Sequence, residues 1–513
     1  MPINNSTRIA KNTLFLYLRS FFVLAITLYI SREILRILGA SDFGLYNVVG
    51  GIVVMLSFLT TSMQASYQRY YAYALGEDNR QKVLDLFHCS LTVQLTLSLF
   101  ILLIAESIGL WFLNSKMVIV QDRLTAANWV YQASIISFLL AIIKSPFSAI
   151  VISHERMDWF AYISVFDAVL KLLIVLMLRF IEGDKLIYYS LLMLLISFTE
   201  IILYISICVK KLNVYPIRLG KDKEMISSLA SFGGWGMMDT LAYTLKGNGL
   251  NIVLNLFFGT VVNAARGIAF QVSNAVNQFI SAFQSSFRPQ MTKSYAAGDI
   301  MYLKKIYYSC TKLSYYLIIS LSLPIMLDTD YILQLWLVEV PEHTVSFTRL
   351  ILATSFVSAF ANPTSGIAFS TGNIKWFTIC VSSVNLMIVP VAYLFLKLGF
   401  SAESSMVVSL VLTIFAQIVR LFVVRHLAPM PIYEYMKMVV RPTMIYTVLV
   451  PIVPLLFIYN FEHPSFLRLM ITTLLSIICS FVIAWYFGLT KNERQFVISK
   501  AANIFKKRKF SSY

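Results

Sequence analysis

Ten charged side chains interrupt the long apolar runs of this 513-residue chain. A charge near the middle of a membrane costs about 2.5–3.5 kcal/mol on insertion scales, so each of them needs a partner or a function. Six are cations and four are acids, which leaves the interior positive. Buried cations suit an anion such as phosphate or diphosphate, which arginine grips with two parallel hydrogen bonds. The ten residues are Arg19, Lys144, Lys171, Lys246, Arg266, Arg349, Glu106, Asp167, Glu200 and Asp239.

Three of these cations are the candidates for binding an anion. Arg19, Lys246 and Arg266 have no acid within one helical turn. Asp239, Tyr243 and Lys246 follow one another at steps of 4 and 3, so the three share one helical face. Asp239 is a candidate site for coupling to a proton or sodium ion, and a salt bridge to Lys246 is the open alternative. Glycines at 233, 234, 236, 247 and 249 make this helix easy to bend.

The other intramembrane charges have simpler interpretations. Asp167 and Lys171 are four residues apart on one helix, so we expect them to neutralise each other. Lys144 and Glu106 lie near the ends of apolar runs, where a long side chain can extend to the membrane surface.

Two helices carry stripes of polar side chains at steps of 3 and 4. Each stripe occupies one helical face, and we expect these faces to line an inner cavity because lipid-facing amides are costly. The alternative is that they hold helices together. The stripes comprise Asn47, Ser57, Thr61 and Gln64 in one helix and Asn274, Asn277, Ser281 and Gln284 in the other.

The composition is that of a membrane protein. The chain is 58% hydrophobic and only 13% charged, with a mean hydropathy of +0.74, whereas soluble domains are about 25% charged. This disfavours a soluble enzyme, a disordered protein and a nucleic-acid binder.

We predict fourteen transmembrane helices, since each needs about 20 apolar residues. They lie near 13–31, 44–66, 88–112, 127–151, 159–179, 187–208, 229–257, 261–287, 310–336, 346–369, 376–397, 405–425, 440–459 and 466–487, and are called spans 1 to 14.

The basic residues predict the orientation. With the N-terminus in the cytoplasm and spans alternating, 28 of the 42 Lys and Arg residues fall in cytoplasmic segments and 8 in outside segments. Cytoplasmic loops of membrane proteins collect Lys and Arg, so both termini are predicted to be cytoplasmic.

The sequence repeats itself at an offset of about 220 residues. Gly39 matches Gly259, Gln64 matches Gln284, and, at an offset of 222, Gly76 matches Gly298. Six spans separate the copies, so both cross the membrane in the same direction, as in transporters with parallel repeats. The predicted fold is therefore all-α, with two six-helix lobes related by a pseudo-two-fold axis and two added helices. The predicted parts are an N-lobe at 1–215, a C-lobe at 216–426, helices 13 and 14 at 427–489 and a basic cytoplasmic tail at 490–513.

Motifs for enzymatic chemistry are absent from the sequence. It has no ATP-binding P-loop, and its five cysteines and five histidines show no metal-ligand spacing. We therefore expect neither an enzyme nor a bound metal or cofactor.

Short motifs resemble a known family. Ala10–Thr13 and Ile37–Asn47 are similar to the entry and the helix 1–2 junction of bacterial polysaccharide flippases, and Phe287–Gln290 with Tyr295–Asp299 is similar to the equivalent end of helix 8. These are the Wzx-type O-antigen and oligosaccharide flippases, in the polysaccharide branch of the multidrug/oligosaccharidyl-lipid/polysaccharide (MOP) superfamily, which has a MATE-like fold.

The resemblance implies a function and a location. It implies two lobes that open alternately to either side and carry an undecaprenyl-diphosphate-linked oligosaccharide, an O-antigen or capsule repeat unit, across the bacterial inner membrane. The family's cationic cavity maps onto Arg19, Lys246 and Arg266. Expected partners are the lipid-linked oligosaccharide, membrane lipids and the glycan polymerase machinery, with no nucleic acid.

Three other functions remain open. A drug/cation antiporter of the same fold predicts an acid-dominated site, whereas this interior is net positive. A membrane-bound glycan polymerase or ligase would need a large outer loop. A scaffold would not explain paired polar stripes.

Overall fold

The computed structural model describes residues 2–115, 121–214, 217–337, 340–461, 463–490 and 493–495. Most of the predicted basic tail lies outside them. The described residues form helices joined by short loops and contain no strand. The helices are α1 (Pro2–Met55), α2 (Ser57–Gly76), α3 (Arg80–Ser115), α4 (Gln121–Ser153), α5 (Met157–Met177), α6 (Lys185–Leu212), α7 (Lys223–Ser285), α8 (Arg288–Ala296), α9 (Ile300–Leu327), α10 (Thr329–Trp336), α11 (Thr344–Thr371), α12 (Lys375–Lys397), α13 (Glu403–Leu427), α14 (Ile432–Asn460) and α15 (Phe466–Gly488).

Helices cover all fourteen predicted spans. Ten of the described helices are individually long and apolar enough to cross a membrane: α3 to α6, α9 and α11 to α15. Spans 1 and 2 lie in α1 and α2, and spans 7 and 8 both lie in α7. The chain is thus an all-α, multi-pass membrane protein.

Spans 1 and 2 are separated by a kink inside α1. The kink is at Gly39, whose φ of 76° lies in the left-handed region. Glycine reaches this conformation without a steric penalty, because it has no Cβ. A single residue therefore breaks the helical path between two crossings.

Spans 7 and 8 lie in one helix of 63 residues. A straight helix of that length would be about 95 Å long, three times a membrane core of about 30 Å. The guanidinium of Arg266 nevertheless donates a hydrogen bond to the side chain of Asn251, 15 residues earlier. Fifteen residues of straight helix would separate them by about 22 Å, so the chain bends back between these two residues.

The chain divides into two compact units, each assembled from segments that are distant in sequence. Unit 1 comprises the described residues of Met1–Leu245, Ser281–Leu303 and Gly366–Ser383, and unit 2 those of Lys246–Ile280, Lys304–Ser365 and Val384–Tyr513. In unit 1, α4 packs along α6, α1 along α5, and α2 against α4 and α8. The division into lobes at residue 215 stays a prediction.

Each unit has its own apolar core. The largest core of unit 1 surrounds fully buried aromatic side chains: Tyr67, Tyr71, Phe87 and Phe147. In unit 2, one core joins Leu254 and Ala265 of α7 to Ile388 of α12. These cores hold the helices that carry the intramembrane charges.

Candidate functional site

Lys246 lies in the part of α7 that belongs to unit 2. Its ammonium donates a hydrogen bond to the hydroxyl of Thr413 on α13, at 3.1 Å. The positive charges of Arg266 and Arg420 lie close enough to repel the Lys246 ammonium. Three cations therefore gather in unit 2, and we call Lys246, Arg266 and Arg420 the cationic cluster.

Arg266 is the most buried member of the cluster, with 2% of its surface exposed. Its guanidinium contacts the side chain of Asn251 and lies over the ring of Phe270, 4.5 Å from the ring centre. An amide oxygen and an aromatic face both attract a cation. Arg266 therefore adds a buried positive charge to the cluster.

Arg420 was not among the candidates from the sequence: it falls within predicted span 12, but its charge was counted with the cytoplasmic cations. The structure places it inside α13, which ends at Leu427. It follows Thr413 and Gln417 at steps of 4 and 3, so the three polar residues share a face of the helix. This stripe, in a helix that is otherwise mostly apolar, is the signal that would have identified Arg420.

Arg19 has a different environment, in unit 1. Its guanidinium lies 4.8 Å from the centre of the Phe160 ring, and the charge of Asp167 acts on it. Asp167 also accepts a hydrogen bond from Lys171 at 2.7 Å, which confirms the predicted pair. Arg19 thus has an acid nearby on another helix, and its convergence with Lys246 and Arg266 stays a prediction.

Lys144 has an acidic partner that the sequence did not reveal. Its ammonium forms an ion pair with Glu200 of α6, at 2.6 Å. The sequence concealed this pair because the partners lie on different helices, 56 positions apart. Glu106 accepts a hydrogen bond from Gln132 at 3.2 Å.

The candidate ion-coupling residue, Asp239, lies in unit 1. Its carboxylate accepts a hydrogen bond from the hydroxyl of Ser382, at 3.0 Å. A membrane-embedded carboxylate can take up a proton, and together with a neighbouring hydroxyl oxygen it can coordinate a sodium ion. Ion coupling through Asp239 stays a prediction.

The polar stripes differ in how their side chains are engaged. In α2, Thr61 is exposed and Gln64 is half-buried, while the side chains of Asn47 and Ser57 lie outside the described residues. In α7, Asn274 and Ser281 are exposed and Gln284 is buried.

Asn277 takes part in helix packing. Its amide donates hydrogen bonds to the Ser273 hydroxyl at 3.0 Å and to the Ser355 hydroxyl of α11 at 2.9 Å. The exposed members of the stripes therefore remain the better candidates for lining a cavity.

Metal binding has no visible basis in the described part of the chain. No group of three or more His, Cys, Asp or Glu side chains is arranged there to hold a metal ion. The chemistry available at the cationic cluster is the binding of an anion.

No family model and no curated protein matches the chain. Solved structures do match it. A MATE transporter in its straight conformation has a TM-score of 0.73 at 14% identity, with 82% of this chain and 96% of that chain covered. The outward-facing conformation of a multidrug resistance MATE family transporter has a TM-score of 0.71 at 14% identity, with 82% and 95% covered.

A third match concerns a binding pocket. It is a MOP superfamily transporter from Pyrococcus furiosus, with a TM-score of 0.69, 12% identity, and 82% of this chain and 95% of that chain covered. That protein is described as having a binding pocket of reverse polarity, which suggests a different function. Helix order and similarity over four fifths of the chain together show that this membrane protein has the fold of the MATE-like transporters of the MOP superfamily.

Proposed function

We propose that the chain is a flippase that moves an undecaprenyl-diphosphate-linked oligosaccharide, an O-antigen or capsule repeat unit, across the bacterial inner membrane by alternating access. The observation that carries this proposal is the cationic cluster within membrane-spanning helices of unit 2. A diphosphate has the opposite charge and the oxygen geometry that guanidinium groups grip.

Each part of the substrate has a place in this proposal. Lys246, Arg266 and Arg420 hold the diphosphate, with Arg19 as a further candidate. The glycan lies against the exposed hydroxyl and amide side chains of the polar stripes. The polyprenyl tail stays in lipid, and both termini face the cytoplasm. Neighbouring proteins are the glycan polymerase machinery, and Asp239 is the candidate for coupling to protons or sodium.

A second function, drug/cation antiport, is favoured by one observation. Asp239 is a membrane-embedded carboxylate, and one structural match is a multidrug resistance transporter. An antiporter of cations requires the acid to dominate its binding site. The three cations of the cluster favour an anionic substrate instead.

The test is flipping of a fluorescent undecaprenyl-diphosphate oligosaccharide by purified protein in liposomes. Lys246→Ala, Arg266→Ala and Arg420→Ala should each weaken binding about tenfold or more, because a hydrogen bond to a charged group contributes about 1.5–3 kcal/mol. Arg266→Lys should retain part of the activity, because the ammonium keeps the positive charge but lacks the two parallel hydrogen bonds of the guanidinium. Binding is measured by the recovery of labelled lipid with the protein.

The matched control is Arg349→Ala. Arg349 is another cation of a membrane-spanning helix, but it pairs with Asp330 at 3.1 Å, so its loss should leave flipping unchanged. Normal flipping by all three alanine variants of the cluster contradicts the site. Exchange of a cationic drug for protons by a protein that does not flip the labelled lipid supports the antiporter instead.

A further inference from the structure

Polar contacts within unit 1 join the predicted N-lobe to the predicted C-lobe. The hydroxyls of Ser62 on α2 and Thr240 on α7 lie 3.0 Å apart. Ser66, one turn further along α2, donates a hydrogen bond to the backbone carbonyl of Leu229 at 3.1 Å. Two helices that the sequence assigns to different lobes are therefore held together by polar contacts.

A buried carboxylate makes two further contacts between the predicted lobes. Glu155, in the loop between α4 and α5, has a side chain with 0% exposure and accepts a hydrogen bond from the Lys293 ammonium at 2.7 Å. It also accepts one from the amide of Gln290 at 2.6 Å. Lys293 and Gln290 both belong to α8, so one acid from the N-lobe binds two donors from the C-lobe.

The backbone at Glu155 indicates that its position is constrained. Its φ is 59°, in the left-handed region that side chains other than glycine rarely adopt. Such a conformation persists where surrounding contacts impose it, and it is concentrated at functional sites. The two donors on α8 account for the position of the carboxylate.

These contacts lie on one predicted face of the membrane. The loop of Glu155 joins spans 4 and 5, and α8 joins spans 8 and 9, both on the predicted cytoplasmic side. At the same face, the hydroxyls of Thr13 on α1 and Ser286 at the end of α7 lie 3.0 Å apart. The contacts of Glu155 and of Thr13 therefore join the predicted cytoplasmic ends of helices from both predicted lobes.

We propose that Glu155, Lys293 and Gln290 form a cytoplasmic gate, which is closed in this structure and opens once in each transport cycle. The inference rests on the alternating access of the proposed function, and it holds whichever substrate is carried. Two lobes that open toward the cytoplasm have to separate at that face. An ion pair backed by hydroxyl contacts can be broken and remade, because water replaces each partner when the face opens.

The test uses two pairs of introduced cysteines in a background with Cys380→Ala and Cys479→Ala, which removes the two half-buried thiols. The gate pair is Thr13→Cys with Ser286→Cys. The control pair is Thr292→Cys with Ser370→Cys, whose hydroxyls lie 3.2 Å apart within the predicted C-lobe. Hydroxyls this close place the Cβ atoms near the separation that a disulfide needs.

Oxidation of the gate pair should reduce flipping of the fluorescent undecaprenyl-diphosphate oligosaccharide at least tenfold, and reduction should restore it. Oxidation of the control pair should leave the rate unchanged, because both of its members move with one lobe. Normal flipping with the gate pair fully oxidised overturns the proposal.

A second measurement tests the gate without transport. Glu155→Gln removes the attraction to Lys293, so the closed state should be less populated and the gate pair should oxidise several-fold more slowly in membranes. The control pair should oxidise at an unchanged rate. An unchanged rate for the gate pair in the presence of Glu155→Gln overturns the role of Glu155.

The two measurements separate this inference from the proposed substrate. If the reduced protein does not flip the labelled lipid, the proposed function fails, while the oxidation rates still decide whether Glu155 holds the gate. If Glu155→Gln does not fold, Gln290→Ala replaces it, since this change removes one donor and keeps the charge pair. The same slowing of gate-pair oxidation is then expected, and its absence overturns the proposal.

Discussion

At the scale of single residues, the intramembrane cations have two kinds of surroundings. Lys144 and Lys171 each form an ion pair with an acid, with N–O distances of 2.6 and 2.7 Å. Lys246 donates a hydrogen bond to Thr413, and Arg266 contacts Asn251. These two cations lie close together in unit 2, and this concentration of positive charge is what suits an anion.

One buried ion pair joins α9 to Glu493, a residue just beyond the end of α15. Lys312, with a side chain that is 3% exposed, contacts Glu493 at 3.0 Å. Burial alone would raise the pKa of Glu493, but the Lys312 ammonium and hydrogen bonds from Ser309 and Thr490 outweigh it and hold this pKa below its ordinary value. The carboxylate is therefore the form that the folded protein favours.

We predict that Glu493→Gln lowers the free energy of unfolding by about 3 kcal/mol at pH 7, because it leaves a buried ammonium without its carboxylate. A lowered pKa in the folded state means that the stabilisation is present above the ordinary pKa of glutamate, about 4.3, and is lost as the pH falls through the lower folded value. Denaturant titration in detergent micelles at pH 7 and in steps below pH 4.5 measures both effects.

The control for this prediction is the double variant Lys312→Met with Glu493→Gln. It removes both charges, so it should recover most of the lost stability. The pair has no stabilising role if Glu493→Gln unfolds like the wild type at every pH.

At the scale of elements, both predicted repeats begin with two membrane crossings in one helical stretch. In the first repeat the junction in α1 is Gly39, in the left-handed conformation. In the second, α7 contains both crossings and bends back between Asn251 and Arg266. The same organisation in both places agrees with the repeat inferred from the sequence.

Bending of α7 during transport is testable at Gly247. A Cβ added there meets nothing within 4 Å, so Gly247→Ala should fold normally and should stabilise the helix by about 0.5–1 kcal/mol. A stiffer helix should slow flipping of the labelled lipid. Flipping rates in liposomes and thermal unfolding of the same preparations separate these two effects.

Gly249→Ala provides the comparison. Its Cβ would lie 2.8 Å from the side chain of Val389, so this variant should lose about 1 kcal/mol of stability through overpacking. A Gly247→Ala protein that is stable and flips at the normal rate shows that bending at this position is not needed.

At the scale of the whole molecule, ion pairs near the helix ends agree with the predicted alternation of spans. On the predicted outer side, Arg123 pairs with Asp42 and Asp184, and Arg468 pairs with Asp328. On the predicted cytoplasmic side, Lys293 pairs with Glu155, and Lys304 pairs with Glu434. Each pair joins segments of one side, as two loops or helix ends must lie on the same side to touch.

The orientation itself is tested by reporter fusions. We predict that fusions after His343 and after Lys375 report opposite sides of the membrane, with Lys375 in the cytoplasm. A fusion after Gly399 should match the one after His343, since His343, just before α11, contacts Glu403 at the start of α13, at 2.5 Å. The fourteen-span topology is wrong if the fusions after His343 and Lys375 report one side.

The sequence alone determined the membrane class and the pairing of Asp167 with Lys171, and it predicted fourteen spans. A membrane span is indicated by about 20 consecutive apolar residues, and an ion pair on one helix depends only on a spacing of four residues. Both can therefore be deduced without tertiary contacts. It also identified Lys246 and Arg266 as cations without a local acid.

Only the tertiary structure decided which distant side chains meet. Lys144 contacts Glu200 on another helix, and Arg420 of α13 acts on Lys246 of α7. Such contacts depend on the rotation of each helix about its axis and on the choice of neighbour, which packing against other helices sets and which no local pattern encodes. For the same reason, the contact of Glu155 with Lys293, 138 residues away, emerged only once the helices were assembled.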